Sequence, residues 1–227
     1  MIKRTIVILC QILTMAANAA SVNPSTESLF DSAPSPAQPF TFVANSTDPS
    51  ESLFDVASEA IRLLRAAGET VGVGESLTAG GVQAAITNVP GASAAFRGGV
   101  VTYATELKAK LLKVDEALIQ REGVIHGDVA LQMAEGARAI TSFPGAAPTT
   151  WGIGTTGVAG PAQQDGKPVG MVFIGVASVH GGSRSWGPFL FPGDRDAIRQ
   201  ATIKQALSLL RDALAARAAG QTVAVEE

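Results

Sequence analysis

One cysteine, two histidines and one tyrosine are all that this 227-residue chain carries of those types, and charged residues make up only 16% of it. With Cys10 as the single cysteine, there is no internal disulfide, no four-cysteine zinc site and no thiol nucleophile in the main body. A Ser-His-Asp triad would have to draw on His126 or His180, and neither stands in a nucleophile context. A hydrolase built on this chain therefore needs a base other than histidine. The net charge is -3. Nucleic-acid affinity is largely phosphate neutralisation by clustered Lys and Arg, so no nucleic-acid partner is expected. The apolar run Ile6 to Met15 is too short for a stable membrane span, which takes about 20 residues.

What is present supports one sizeable core, since 46% of the residues are hydrophobic. Residues 1–20 have Lys3 and Arg4, then the apolar run, then "ANAAS", the order of a secretory signal cleaved near Ala20. The chain is secreted or periplasmic if that leader is real, and cytoplasmic otherwise. Residues 21–50 are rich in Ser, Pro, Thr and Asn and read as a disordered linker. Inside it "PSTESLFD" at 24–31 returns as "PSESLFD" at 49–55, and only the second copy runs on into a helical pattern.

The spacing of Leu53, Val56, Ala57, Ala60, Ile61 and Leu64 predicts a helix that stops at Gly68. "TVGVG" follows as a short buried strand, then a small-residue helix through about Thr87. "GGVVTYA" at 98–104 reads as a strand, "ELKAKLLKV" as a helix, and 128–141 as a helix with Val129, Met133, Ala137 and Ile140 on one face. "TTWGIGTT", "VGMVFIGVAS" and "SWGPFLF" supply further strands, and 194–217 a closing helix. This alternation predicts a three-layer α/β/α sandwich as a single domain over 51–218, with a tail at 219–227.

Four stretches carry candidate chemistry. "GESLTAGG" has no lysine for a phosphate loop, has Leu77 where a dinucleotide fingerprint needs glycine, and matches a nucleophile elbow only through Gly74, Glu75 and Ser76. The remaining geometry is a strand ending at Gly74 and a helix starting near Thr78. Ser76 on that connection is either an exposed hydroxyl or, with Thr78, a helix cap. "GIGTTGVAGP" satisfies G-x-G-x-x-G through Gly152, Gly154 and Gly157 but enters a loop where a dinucleotide fold needs a helix. It reads as a strand end whose Thr155, Thr156 and amides line a pocket.

In "VTYATELKAKLL", Tyr103 ends a strand and Lys108 falls in the first helical turns. A lysine is a base only when neutral, so burial or neighbouring cations must depress its pKa; the alternative is a solvated Lys108 beside Lys110. "PGDRDAIRQ" places Arg195 and Arg199 on one face at a helix start, suited to phosphate or carboxylate, or else to surface pairing with aspartate.

Together these stretches, with "KPVGMVFIGVA", stand in the order and approximate spacing of the CinA C-terminal domain family, the nicotinamide mononucleotide amidohydrolases, which the chain resembles over about 52–215. The resemblance implies hydrolysis of the carboxamide of nicotinamide mononucleotide to nicotinate mononucleotide and ammonia, without cofactor or metal. It implies Ser76 as nucleophile, Lys108 as proton acceptor and Tyr103 as a third catalytic hydroxyl. It further implies oxyanion stabilisation by amides around Thr78 and Ala79, and a nucleotide held by Ser93, Thr156, Gly157 and Arg195 or Arg199. The usual "ESCTGG" is here "ESLTAG", with Leu77 for Cys and Ala79 for a glycine whose positive φ alanine resists; His126 and Gly127 stand where the family tends to have Val-Ser. A homo-oligomer, a silent nucleotide-binding module and a secreted interaction protein using the repeated "ESLFD" stay open.

Overall fold

The computed structural model describes residues 50–220. The leader, most of the linker, the first "ESLFD" copy and most of the tail lie outside the described residues. The described residues form one α/β/α sandwich. Its elements are α1 (Leu53–Ala67), β1 (Val71–Glu75), α2 (Gly81–Thr87), a short 3-10 turn (Ala92–Ala94), β2 (Phe96–Val101), α3 (Thr105–Leu112), α4 (Glu116–Glu122), α5 (Gly127–Ile140), β3 (Trp151–Gly157), β4 (Met171–Ser178), β5 (Arg184–Leu190) and α6 (Arg195–Ala218). The sheet order is β2-β1-β3-β4-β5. β1 pairs parallel with β2 and β3, while β4 and β5 run antiparallel.

Local signals set the helix ends. Ser52 caps α1 by accepting from the Asp55 N–H, and Gly68 closes it in the left-handed region at φ 65°. The second "ESLFD" copy is thus a helix start: Glu51 pairs with Arg211 of α6 at 2.7 Å, and Leu53 packs against the core. α1 and α6 cover one face of the sheet, burying Val56, Ile61, Leu64, Ile198, Leu207 and Leu210. α5 covers the other face with α3 beside it.

The glycines of "VGVG" and "GIG" act on that second face. A Cβ on Gly152 would run into the Ala134 carbonyl oxygen, and one on Gly154 into the Ala130 carbonyl oxygen. α5 therefore lies directly on the strand backbones, which explains the literal G-x-G-x-x-G match without any phosphate. Among the described residues no helix is long and apolar enough to cross a membrane.

At the other end of the sheet from the C-terminal end of β1, buried Glu69 accepts from Trp151 Nε1 at 2.6 Å and pairs with Arg217 at 2.8 Å and His180 at 2.9 Å. His180 thus serves to fasten α6 and the β4–β5 turn to the sheet.

Candidate active site

Parallel β1 and β2 end side by side, with Glu75 opposite Val101, and the chain segments leaving them carry Ser76, Tyr103 and Lys108. β2 stops at Val101, so Tyr103 lies beyond the strand end and not within it; it is 56% exposed. Lys108, four residues into α3, points inward and is 1% exposed. The solvated alternative is thereby excluded. Its Nζ lies 3.1 Å from Ser76 Oγ and donates to the Thr102 carbonyl at 2.8 Å and the Tyr103 carbonyl at 3.5 Å. Among the described residues no carboxylate pairs with it. Burial pulls the Lys108 pKa down to about 8, against the opposing pull of Glu106.

The serine sits on a tight turn closed by the Ala79 N–H donating to the Ser76 carbonyl at 3.1 Å. α2 begins only at Gly81, with Gly80 as its cap residue at φ 92°, so neither Ser76 nor Thr78 caps it. The cap comes from Glu75. Its buried carboxylate accepts from the N–H groups of Gly80 (2.8 Å), Val82 (3.2 Å) and Gln83 (3.0 Å). An acidic group there also opposes the positive helix end. In the sequence the only signal for Glu75 is an acid just ahead of a helix start, at a position that the nucleophile-elbow pattern leaves variable. Thr155, read from the sequence as lining a pocket, reaches the serine turn: its hydroxyl accepts from the Ser76 N–H at 3.4 Å and bonds the Thr78 hydroxyl at 2.8 Å. Strand alternation separates it from its neighbour.

Several expected ligands go elsewhere. Thr156 donates to the Val124 carbonyl at 2.6 Å, on the opposite face of β3 from Thr155. Ser93 lies in the turn before β2, at the far end of the sheet from Ser76, and does not join the cluster. The Ala79 N–H is used in the turn, so it does not face an oxyanion. Arg199 gives Nε to the Leu77 carbonyl at 3.1 Å and Nη2 to the Thr78 carbonyl at 3.0 Å, holding the loop. Among the described residues neither arginine makes an aspartate surface pair: Arg195 donates to the Gly160 carbonyl at 2.7 Å and to the Tyr103 hydroxyl at 2.6 Å.

The residues that do converge are Ser76, Leu77, Tyr103, Gly157 and Arg195, which line a cavity of about 90 Å³ with Gly160 and Gln164 on its wall. Leu77 is 3% exposed and belongs to the core, so the larger side chain is accommodated by burial. Ala79 adopts φ 51° despite its Cβ. The left-handed region costs an L-residue about 1 kcal/mol. Ala79→Gly is expected to raise stability by about 0.5 kcal/mol after glycine's entropy is deducted, read as a higher urea midpoint at unchanged slope. His126 caps α5 by accepting from the Asp128 N–H and does not line the cavity.

The sequence matches the family model described as the CinA C-terminal domain over residues 53–214. It is 49% identical over 147 residues to a CinA-like protein of Frankia casuarinae, covering 64% of this chain and 32% of that one. It is 41% identical over 157 residues to a CinA-like protein of a Synechococcus species, covering 69% and 36%. The chain thus spans about a third of the length of these curated relatives. Among solved structures, the competence/damage inducible protein CihA of Agrobacterium tumefaciens superposes with a TM-score of 0.65 at 30% identity, over 72% of this chain and 95% of that one. The glycine-floored sandwich, the serine turn at the end of β1 and these matches agree: the chain belongs to the CinA C-terminal domain family.

Proposed function

We propose that this protein is a metal-independent amidohydrolase that converts nicotinamide mononucleotide to nicotinate mononucleotide and ammonia. The observation that carries the reading is the buried Lys108 amine 3.1 Å from the Ser76 hydroxyl, with its pKa brought down to about 8. At neutral pH about a tenth of such lysines are uncharged. In that form Lys108 accepts the Ser76 proton as Oγ attacks the carboxamide carbon. The N–H groups of Leu77 and Thr78, which no hydrogen bond engages among the described residues, stabilise the oxyanion. Lys108 returns the proton to the departing nitrogen, which leaves as ammonia. Water then adds to the acyl-serine by the same route, and the C–O bond breaks to release the carboxylate and regenerate Ser76.

The cavity is smaller than the roughly 300 Å³ at which ligand pockets begin, so it takes the carboxamide end and leaves the ribose phosphate at the rim. There Tyr103 and Arg195 meet the nucleotide, Tyr103 with its hydroxyl toward the reacting amide and Arg195 toward the phosphate. Both are exposed enough to be drawn onto a ligand. The test is ammonia release from nicotinamide mononucleotide, set beside nicotinamide and glutamine. Release from the mononucleotide that disappears in Ser76→Ala is the expected result; no release by the wild type rejects the reading.

A further inference from the structure

The reading above leaves two arginines for one phosphate, and their surroundings differ. We propose that Arg199 is a positioning residue for the Ser76 turn and does not bind the phosphate; this rests on the amidohydrolase reading. Nε and Nη2 form the edge of a guanidinium that clamps oxyanions two-pronged, and in Arg199 both atoms are spent on the carbonyls of Leu77 and Thr78. Arg195 engages its protein partners at the exposed cavity mouth, where an incoming anion can replace them.

The effect of the clamp follows from peptide geometry. In a trans peptide the C=O and N–H point in opposite directions. Holding the Leu77 carbonyl toward α6 therefore turns the Thr78 N–H away from it. Holding the Thr78 carbonyl does the same to the Ala79 N–H, which closes the turn onto the Ser76 carbonyl. Two consecutive residues of this turn, Ala79 and Gly80, have positive φ (51° and 92°). Such a backbone needs outside restraint. Glu75 supplies it at the α2 end, through the Gly80, Val82 and Gln83 amides, and Arg199 at the middle. Without Arg199 the Leu77–Thr78 peptide loses its only hydrogen bond among the described residues and is free to flip, and the Thr78 N–H that faces the oxyanion turns with it, while the Thr78–Ala79 peptide keeps its bonds to the Ser76 carbonyl and the Gly81 N–H.

The experiment compares Arg199→Ala and Arg199→Lys with wild type on nicotinamide mononucleotide and on its dephosphorylated nucleoside. Because the loss is one of transition-state stabilisation, kcat in Arg199→Ala falls about 100-fold on both substrates. KM for the mononucleotide stays within about twofold, and added guanidinium ion restores part of the rate. A KM increase confined to the phosphorylated substrate, with kcat kept, overturns the proposal. Arg199→Lys keeps the charge but lacks the two-pronged edge. If Arg199→Ala does not fold, the lysine variant must show the same kcat loss on both substrates, and full activity in it overturns the proposal. If the wild type hydrolyses neither compound, the amidohydrolase reading fails by itself. Arg199 is then judged by acylation of Ser76 with p-nitrophenyl acetate, followed by mass spectrometry: slower acylation in the folded variant supports positioning, and an unchanged rate rejects it.

Discussion

Lys108→Met is expected to abolish ammonia release and to make the protein more stable at neutral pH. The loss follows from removing the only base within reach of Ser76 among the described residues, worth about 10³-fold or more in rate. The gain follows from the cost of burying an amine. Lys108 is 1% exposed and no carboxylate among the described residues pairs with it, so its charged form is disfavoured in the fold. Its folded pKa of about 8 lies below the free-lysine value of 10.5, so between those two pH values the unfolded chain holds more protons than the folded one. Wild-type stability therefore rises with pH across that window, and the full penalty is present below it. Methionine has similar length and no charge to desolvate, although it leaves the Thr102 carbonyl without its donor. The net gain expected at pH 6.5 is about 1–2 kcal/mol, read from urea unfolding, and it shrinks toward pH 10. The same titration predicts that wild-type kcat/KM climbs about tenfold per pH unit from 6 toward 8 and then levels. A flat profile, or a methionine variant that is active, removes Lys108 from the base role.

Gly154→Val is expected to leave no folded protein at all. A side chain there collides with the Ala130 carbonyl oxygen and comes within 2.7 Å of the Ala134 nitrogen, both α5 backbone, and within 2.9 Å of Met133 Cβ. Backbone cannot rotate aside as a flexible side chain can, so relief requires lifting a 14-residue helix that also packs on β1 and β4. The expected loss exceeds about 4 kcal/mol, enough to unfold a domain of ordinary stability. Gly166→Ala is the control. It has φ 70° and open space around its Cβ, so it should cost only about 1 kcal/mol. Soluble yield and the urea midpoint distinguish the two, and a folded Gly154→Val variant would show that α5 does not rest on the strand backbone.

The helices with clear periodicity were legible in the sequence because their signals are local. α1 carries its apolar stripe, its Ser52 cap and its Gly68 stop within 17 residues, and its observed bounds follow them. α4 is not legible because its seven residues, in a segment bracketed by positive-φ Lys113 and Gly123, offer too short a period to read. Strand termini were less legible: Tyr103 looks like the end of "VVTY", yet pairing with β1 stops at Val101. Ser76, Tyr103 and Lys108 are candidates named by the family resemblance, and burial of Lys108 is the feature the sequence does not carry, since beside Lys110 it reads equally well as solvated. The placement of Ser93, Thr156 and Arg199 relative to Ser76 is not legible in the sequence, for a common reason. Which end of a strand, which face of a strand and which partner a guanidinium meets are decided by pairing across tens of residues.

The floor of glycines under α5 also bears on how this molecule accommodates a ligand. Side chains yield by changing rotamer, and two packed surfaces slide when such changes let them re-seat. Where α5 rests on Gly152 and Gly154 there are no rotamers to change, so that layer behaves as a fixed anvil beside the Ser76 turn. Adjustment to a bound molecule is confined to the opposite rim, where the Arg195 and Tyr103 side chains already reach across from different parts of the chain.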